Sequence, residues 1–162
     1  MEIDRTITNI WTITVRESEV FDRVTDESLM ASYQRAEQNP KEDGTVITDD
    51  DRAFFERYYR AALAELSALL AKRTVRYGGG IVNERDTDTG FITTVYTLAM
   101  TCNHESDLVN ALASHCLEFI IAKVLEKWYG RGADFGSETE KQQIRHILNY
   151  RRFCIERPAR PL

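Results

Sequence analysis

Cysteine, proline and histidine are scarce in this chain, three of each, and their placing excludes more than their number does. Cys102, Cys116 and Cys154 form no C-x-x-C pair. A chain of 162 residues buries about 70% of its unfolded surface by size alone, so it has no need of disulfide staples. The thiols therefore read as reduced and mostly buried, with Cys116 a small hydrophobe on the most apolar helix. Cys102 and His104 lie two apart, His115 and Cys116 are adjacent, and His146 and Cys154 follow later. Structural zinc is held by tighter pairs, whose short loops orient four ligands tetrahedrally, so no metal is expected.

The motifs of cofactor and nucleophile chemistry are missing as well. There is no G-x-S-x-G elbow, and the histidines are scattered, so nothing favours an activated nucleophile and no catalytic residue is assigned. Gly78-Gly79-Gly80 has no Gly-Lys-Ser/Thr after it and leads into a strand pattern, which excludes a phosphate loop. Asp86-x-Asp88-x-Gly90 imitates a calcium loop, but its glycine comes one position early and Thr97 stands where a bidentate carboxylate is required. A hairpin turn explains the same residues. No cofactor and no small-molecule substrate are expected. No apolar run approaches the roughly 20 residues of a bilayer span. MEIDRTITNIW also lacks the charged-then-apolar pattern of a signal peptide, so a cytosolic start and no membrane partner are expected.

The formal charge is −5, and it is unevenly spread. Residues 1–140 hold 15 Lys and Arg against 25 Asp and Glu, whereas residues 141–162 hold six against one. An acidic body of this kind disfavours wrapping of nucleic acid, which requires a concentrated basic surface.

Hydropathy patterning supplies the elements. TITNIWTITV, residues 6–15, alternates with Ile7, Trp11, Ile13 and Val15 on one face, the period of a half-buried strand. From Glu17 the period becomes helical, with Val20, Phe21 and Val24, then Leu29, Met30, Tyr33 and Ala36 recurring before Asn39-Pro40. Thr25-Asp26 is the candidate kink. NPKEDGTVITDD is a loop. Thr48 followed by Asp49, Asp50 and Asp51 marks a helix start, where a threonine cap and carboxylates meet orphan amides and the positive dipole end. That helix carries Phe55, Tyr58, Tyr59, Ala62, Leu66, Leu69 and Leu70 as its stripe and runs to about Arg73. TVRYGGGIVNER and FITTVYTLAM around an Asp/Gly turn make a hairpin over about 74–101, with the three glycines as a bulge or flexible break in its first strand.

Ser106 begins a helix running to Trp128-Tyr129-Gly130 that is apolar on nearly every side, so it must lie between other elements. After RGADFG, Ser137 begins a last helix with Ile144, Ile147, Leu148 and Arg151 in register. Pro158 and Pro161 end regular structure. The fold class expected is α+β, mainly α. It comprises a bundle of three to four helices around residues 106–129, an inserted hairpin and a short N-terminal strand, within one domain of residues 1–157 followed by an extended Arg/Pro tail, 158–162.

The candidate binding residues are Arg145, Arg151, Arg152, Arg157 and Arg160. Arginines can contact phosphates, dock as bidentate pairs on carboxylates of another protein, or form a solvated end. The acidic body repels a duplex, which favours a protein partner over direct contact with nucleic acid.

The order of elements, with T-D-D-D-R-A-F-F-E-R-Y-Y, A-L-A-S-H-C-L-E-F-I-I-A-K-V-L-E-K-W-Y and the R-R-F-C-I-E-R-P-A-R-P tail, resembles small structural proteins of tailed bacteriophages and prophages, and more loosely their head-tail connector (adaptor) proteins. The resemblance implies a non-enzymatic subunit, cytoplasmic in the bacterial host and part of the virion, that oligomerises with its own copies and docks on a portal or tail protein. It further implies that an acidic body lines a conduit for DNA, and that the Arg/Pro tail and the hairpin reach a neighbour. The alternative is a small bacterial binding or regulatory module that uses residues 141–162 to hold nucleic acid or a protein partner.

Overall fold

Trp11, Ile13 and Val15 are buried and their even-numbered neighbours are not, so NIWTITVR forms a strand, β1 (Asn9–Arg16), with one face committed to the core. The computed structural model describes residues 9–38, 46–76, 79–100 and 106–149. Ile7, Asn39-Pro40, Cys102, His104, Cys154 and the tail lie outside that set.

β1 passes without a loop into α1 (Glu17–Gln38), which continues through Thr25-Asp26 without a break. The hydroxyl of Ser28 donates to the Thr25 carbonyl at 3.0 Å and accepts the amide of Ile47 at 2.9 Å, tying the end of the following loop to the helix. A short 3₁₀ turn, Asp49–Asp51, leads into α2 (Arg52–Leu70). Here the Asp51 carboxylate does the capping, accepting the Thr48 amide at 3.0 Å. The buried face of α2 is Phe55, Tyr59, Ala62, Leu66 and Leu70, with Tyr58 and Leu69 at its margin, as the periodicity predicts. The helix ends at Leu70, close to the expected end at about Arg73, and the Thr74 hydroxyl and amide both turn back to the Leu70 carbonyl, at 2.8 and 3.0 Å.

The chain then enters the hairpin of β2 (Ile81–Arg85) and β3 (Ile92–Met100). Its turn is closed by the Gly90 amide on the Asp86 carbonyl at 2.7 Å, and the Asp86 carboxylate accepts the Asp88 amide at 2.8 Å. The first strand is interrupted at the glycines: the Val75 amide and the Gly80 carbonyl both bond Thr97, at 2.9 and 2.8 Å, so two residues of this strand oppose one of β3, and residues 77–78 between them lie outside the described set. β3 pairs antiparallel with β2 on one side and with β1 on the other, giving a three-stranded sheet in the order β1-β3-β2. The sequence reading treats strand and hairpin as separate; the fold joins them.

α3 (Ser106–Tyr129) packs against α1, α2, β1 and α4 (Ser137–Leu148). By length and composition alone, Asp107–Tyr129 could cross a membrane, which corrects the expectation that no segment reaches that threshold. Its neighbours explain why it is so apolar: Leu112, Cys116, Phe119, Ile120, Ile121, Ala122, Val124 and Leu125 are all buried. Full burial of each large apolar side chain is worth about 1.5–3 kcal/mol. The few polar side chains of α3 are shared out among the neighbours. Glu118 meets Arg23 of α1 at 3.0 Å, Lys123 meets Glu65 of α2 at 3.3 Å, and His115 meets Glu140 of α4 at 2.6 Å. Glu126 caps α4 from outside it, accepting the amides of Phe135 and Ser137 at 3.1 Å each and the Ser137 hydroxyl at 2.5 Å. The architecture is therefore α+β and mainly helical, with four helices and a three-stranded antiparallel sheet among the described residues.

Candidate functional site

Of the five arginines singled out from the sequence, the structure describes one. Arg145 is exposed in the last turn of α4, where its charge meets the negative end of the helix. Arg151, Arg152, Arg157 and Arg160 lie outside the described residues, and so does the register predicted for Arg151.

The ionisable groups inside the protein hold the fold together. Glu17, 3% exposed, ends β1 and begins α1, and its Oε1 accepts the Ile92 amide at 2.9 Å. Burial, aided by the nearby Glu56, pushes its carboxyl up, against the opposing pull of the Ile92 amide, Arg52 and Arg60. From α2, Arg52 lies over the Phe91 ring at 3.9 Å, pairs with Glu56 at 3.5 Å and donates to the Thr89 carbonyl. Glu17 and Arg52 thus clasp the root and the turn of the hairpin to the two helices. Sequence reasoning missed both, because their partners on the hairpin, the Ile92 amide, the Thr89 carbonyl and the Phe91 ring, are made local only by folding; the Glu directly after a strand pattern was the one available signal.

Deeper in, the Tyr96 hydroxyl is 2.7 Å from the Ser67 hydroxyl, which donates to the Leu63 carbonyl at 2.9 Å. Burial raises Tyr96, and it raises Tyr59 further, with Glu17 contributing. Burial also pushes the Cys116 thiol up to about 12, so it is not a thiolate at neutral pH. Among the described residues no three His, Cys, Asp or Glu side chains come together as metal ligands. Glu17 and Tyr96 carry hydrogen bonds in a packed interior, whereas the Tyr59 hydroxyl is buried with no hydrogen-bond partner among the described residues; the raised values follow from burial.

The sign of the Glu17 effect gives a test. Its folded pKa lies above the unfolded value, so its contribution to stability is full below the ordinary carboxylate range and is lost as pH rises through the folded value. Above that value the charge on Glu17 opposes folding. Glu17→Gln keeps an acceptor for Ile92 and removes the charge, so the variant is expected to melt above the parent chain at pH 7, the gap closing as pH falls to about 4. Melting temperatures across that range check this; a variant that melts lower at pH 7 contradicts it.

The unusual surface is on α1. Val20, Phe21, Val24 and Ser28 are buried along one side of the helix. Leu29, Met30 and Tyr33, which follow in the sequence at helical spacing, are instead 42, 60 and 65% exposed. The reason is the step from Val24 to Leu29: five residues rotate the helix by about 140°, and Leu29, Met30 and Tyr33 together point roughly half a turn away from the core side. They are neighbours at i, i+1 and i+4, with Met30 and Tyr33 at i, i+3, so they make one apolar patch on a helix whose other side is already committed. On α2, Phe54 is also exposed, beside its buried neighbour Phe55.

What the site can do is present apolar and aromatic side chains, fixed by a helix, to another macromolecule. The chain matches no family model, no curated protein and no solved structure.

Proposed function

We propose that this chain is a non-enzymatic assembly subunit whose ligand is another protein. In the specific form that its resemblance implies, it is a head-tail connector of a tailed-phage or prophage particle that joins its own copies and docks on a portal or tail protein. The observation that carries the docking part is the second apolar face of α1. Leu29, Met30 and Tyr33 stand out from the body on the side of α1 turned away from the core. Exposed apolar residues scattered singly need no explanation, but three on one helical face form the kind of anchor set that a helix lays into a groove. The acidic body supports the conduit role, since like charge lets DNA pass without adhering.

Met30→Glu combined with Tyr33→Glu tests this reading. Both positions are solvent-exposed, so stability should stay within about 0.5 kcal/mol of the parent chain. Affinity for the portal or tail protein encoded beside the gene should fall roughly 30-fold or more, the loss of at least one hot spot of about 2 kcal/mol. Urea denaturation measures the first quantity and calorimetric titration of the purified partners the second. Undiminished binding by the double variant removes α1 as the docking surface. A gene neighbourhood without portal, capsid or tail genes withdraws the phage form and leaves the docking form standing.

A further inference from the structure

The two edges of the sheet differ in kind. In an antiparallel ladder each residue directs its amide and carbonyl to the same side, and successive residues alternate. Thr97 bonds Val75 and Gly80, and the Ala99 amide bonds the Arg73 carbonyl, so the odd-numbered residues of β3 face the β2 side and the even-numbered ones face β1. By the observed register, Trp11, Ile13 and Val15 are then the residues of β1 that exchange bonds with β3. Ile10, Thr12 and Thr14 direct theirs outward, and no backbone group among the described residues takes them.

Natural sheets protect such an edge with charge, proline, a bulge or brevity. β2 is protected in this way: it is five residues long, carries Glu84 and Arg85, and follows a point where Val75 and Gly80 both bond Thr97 and so interrupt the ladder. β1 has eight residues, no proline, no bulge and no charge before Arg16. Its outward side chains are Ile10, 55% exposed, with Thr12 and Thr14.

We infer that β1 pairs with β1 of a second copy, antiparallel about a two-fold axis at Thr12, to make one six-stranded sheet. Thr12 of one copy faces Thr12 of the other, and Ile10 faces Thr14, so every outward group of these residues finds a partner in about six hydrogen bonds. The same register keeps faces matched, with Trp11 opposite Ile13 on the core side. Charge selects this arrangement as well. Arg16 is the one charge on β1; antiparallel pairing sets the two copies of it at opposite ends, where parallel pairing would stack them. β1 is also the best-suited strand that the described chain offers, since β2 is charged.

The inference is independent of the α1 docking surface, and its test separates the two. Light scattering on the full chain is expected to give twice the 18.7 kDa chain mass at high concentration, falling to the single mass on dilution. Thr12→Pro removes one outward amide without touching the β1–β3 ladder, and is expected to hold the chain at the single mass. Hydrogen exchange on the unaltered protein covers the case in which that variant fails to fold. The amides of Ile10, Thr12 and Thr14 should become protected as concentration rises, while those of Trp11, Ile13 and Val15 are protected throughout. A single mass at every concentration with those three amides exchanging freely overturns the inference. Protection that arises only on adding a different protein also overturns it, because the edge then serves a foreign strand. Met30→Glu with Tyr33→Glu should leave the doubled mass unchanged.

Discussion

Phe119→Asp is expected to leave no cooperatively folded protein at 25 °C. Phe119 is 1% exposed at the middle of α3, where Ile120, Ile121 and Ala122 are buried beside it, so its own side chain is directed into the packed core and not toward water. Truncating a buried phenylalanine removes about 3–5 kcal/mol. Leaving a carboxylate there without a partner adds several more, even when it takes up a proton. Total stability for a domain of this size is about 5–15 kcal/mol, so the two effects together exhaust it. Leu112→Asp, one and a half to two turns earlier and fully buried, should behave in the same way. The expected measurement is a far-ultraviolet circular dichroism spectrum with reduced helix and no sigmoidal transition on heating or in urea. A variant that melts cooperatively within a few degrees of the parent would show that α3 is not the packed centre of the fold.

Gly80→Ala is expected to cost about 2–4 kcal/mol although it adds a single methyl group. A β-carbon built at Gly80 falls 1.9 Å from the Val75 carbonyl oxygen and 2.9 Å from Thr74 Cγ2. The first neighbour is backbone and cannot rotate away. Nor can the two segments part, since the Val75 amide and the Gly80 carbonyl are both fixed to Thr97. The methyl must therefore break at least one of those bonds or force the two segments apart, so an overpacking strain of about 1–3 kcal/mol is joined by a lost hydrogen bond of about 0.5–1.5 kcal/mol. Urea denaturation checks this: the midpoint should fall with the slope unchanged. An unchanged midpoint would mean that Val75 and Gly80 are not held in contact.

The same site shows where local reasoning succeeds. Consecutive glycines in a strand pattern announce a bulge or a break, because there a strand gains from having no side chain. The reason for Gly80 in particular is visible only with Val75 beside it. α1 shows the opposite case. Leu29, Met30 and Tyr33 keep helical spacing with one another, so the periodicity correctly predicts a helix. It does not reveal that they occupy the side away from Val20 and Val24, because the local spacing is satisfied on either side and only the accumulated rotation distinguishes them. For the binding residues, Arg145 alone could be placed, at the exposed end of α4, and its spacing in sequence says nothing about what it faces.

By itself, the sequence determined the properties that depend on neighbours within a turn or a pleat. These are the buried face of β1, the stripe of α2, the hairpin with its interrupted first strand, and the all-round apolar character that obliges α3 to lie inside. Tertiary structure alone decided the pairing of β1 with β3, the capping of α4 by Glu126, the clasping of the hairpin by Glu17 and Arg52, and the exposure of the α1 patch and the β1 edge. Each of the latter is a relation between residues far apart in the chain or a difference between two faces of one element. A linear pattern carries the period of an element but not its orientation, which is fixed only when the elements compete to bury their apolar faces together.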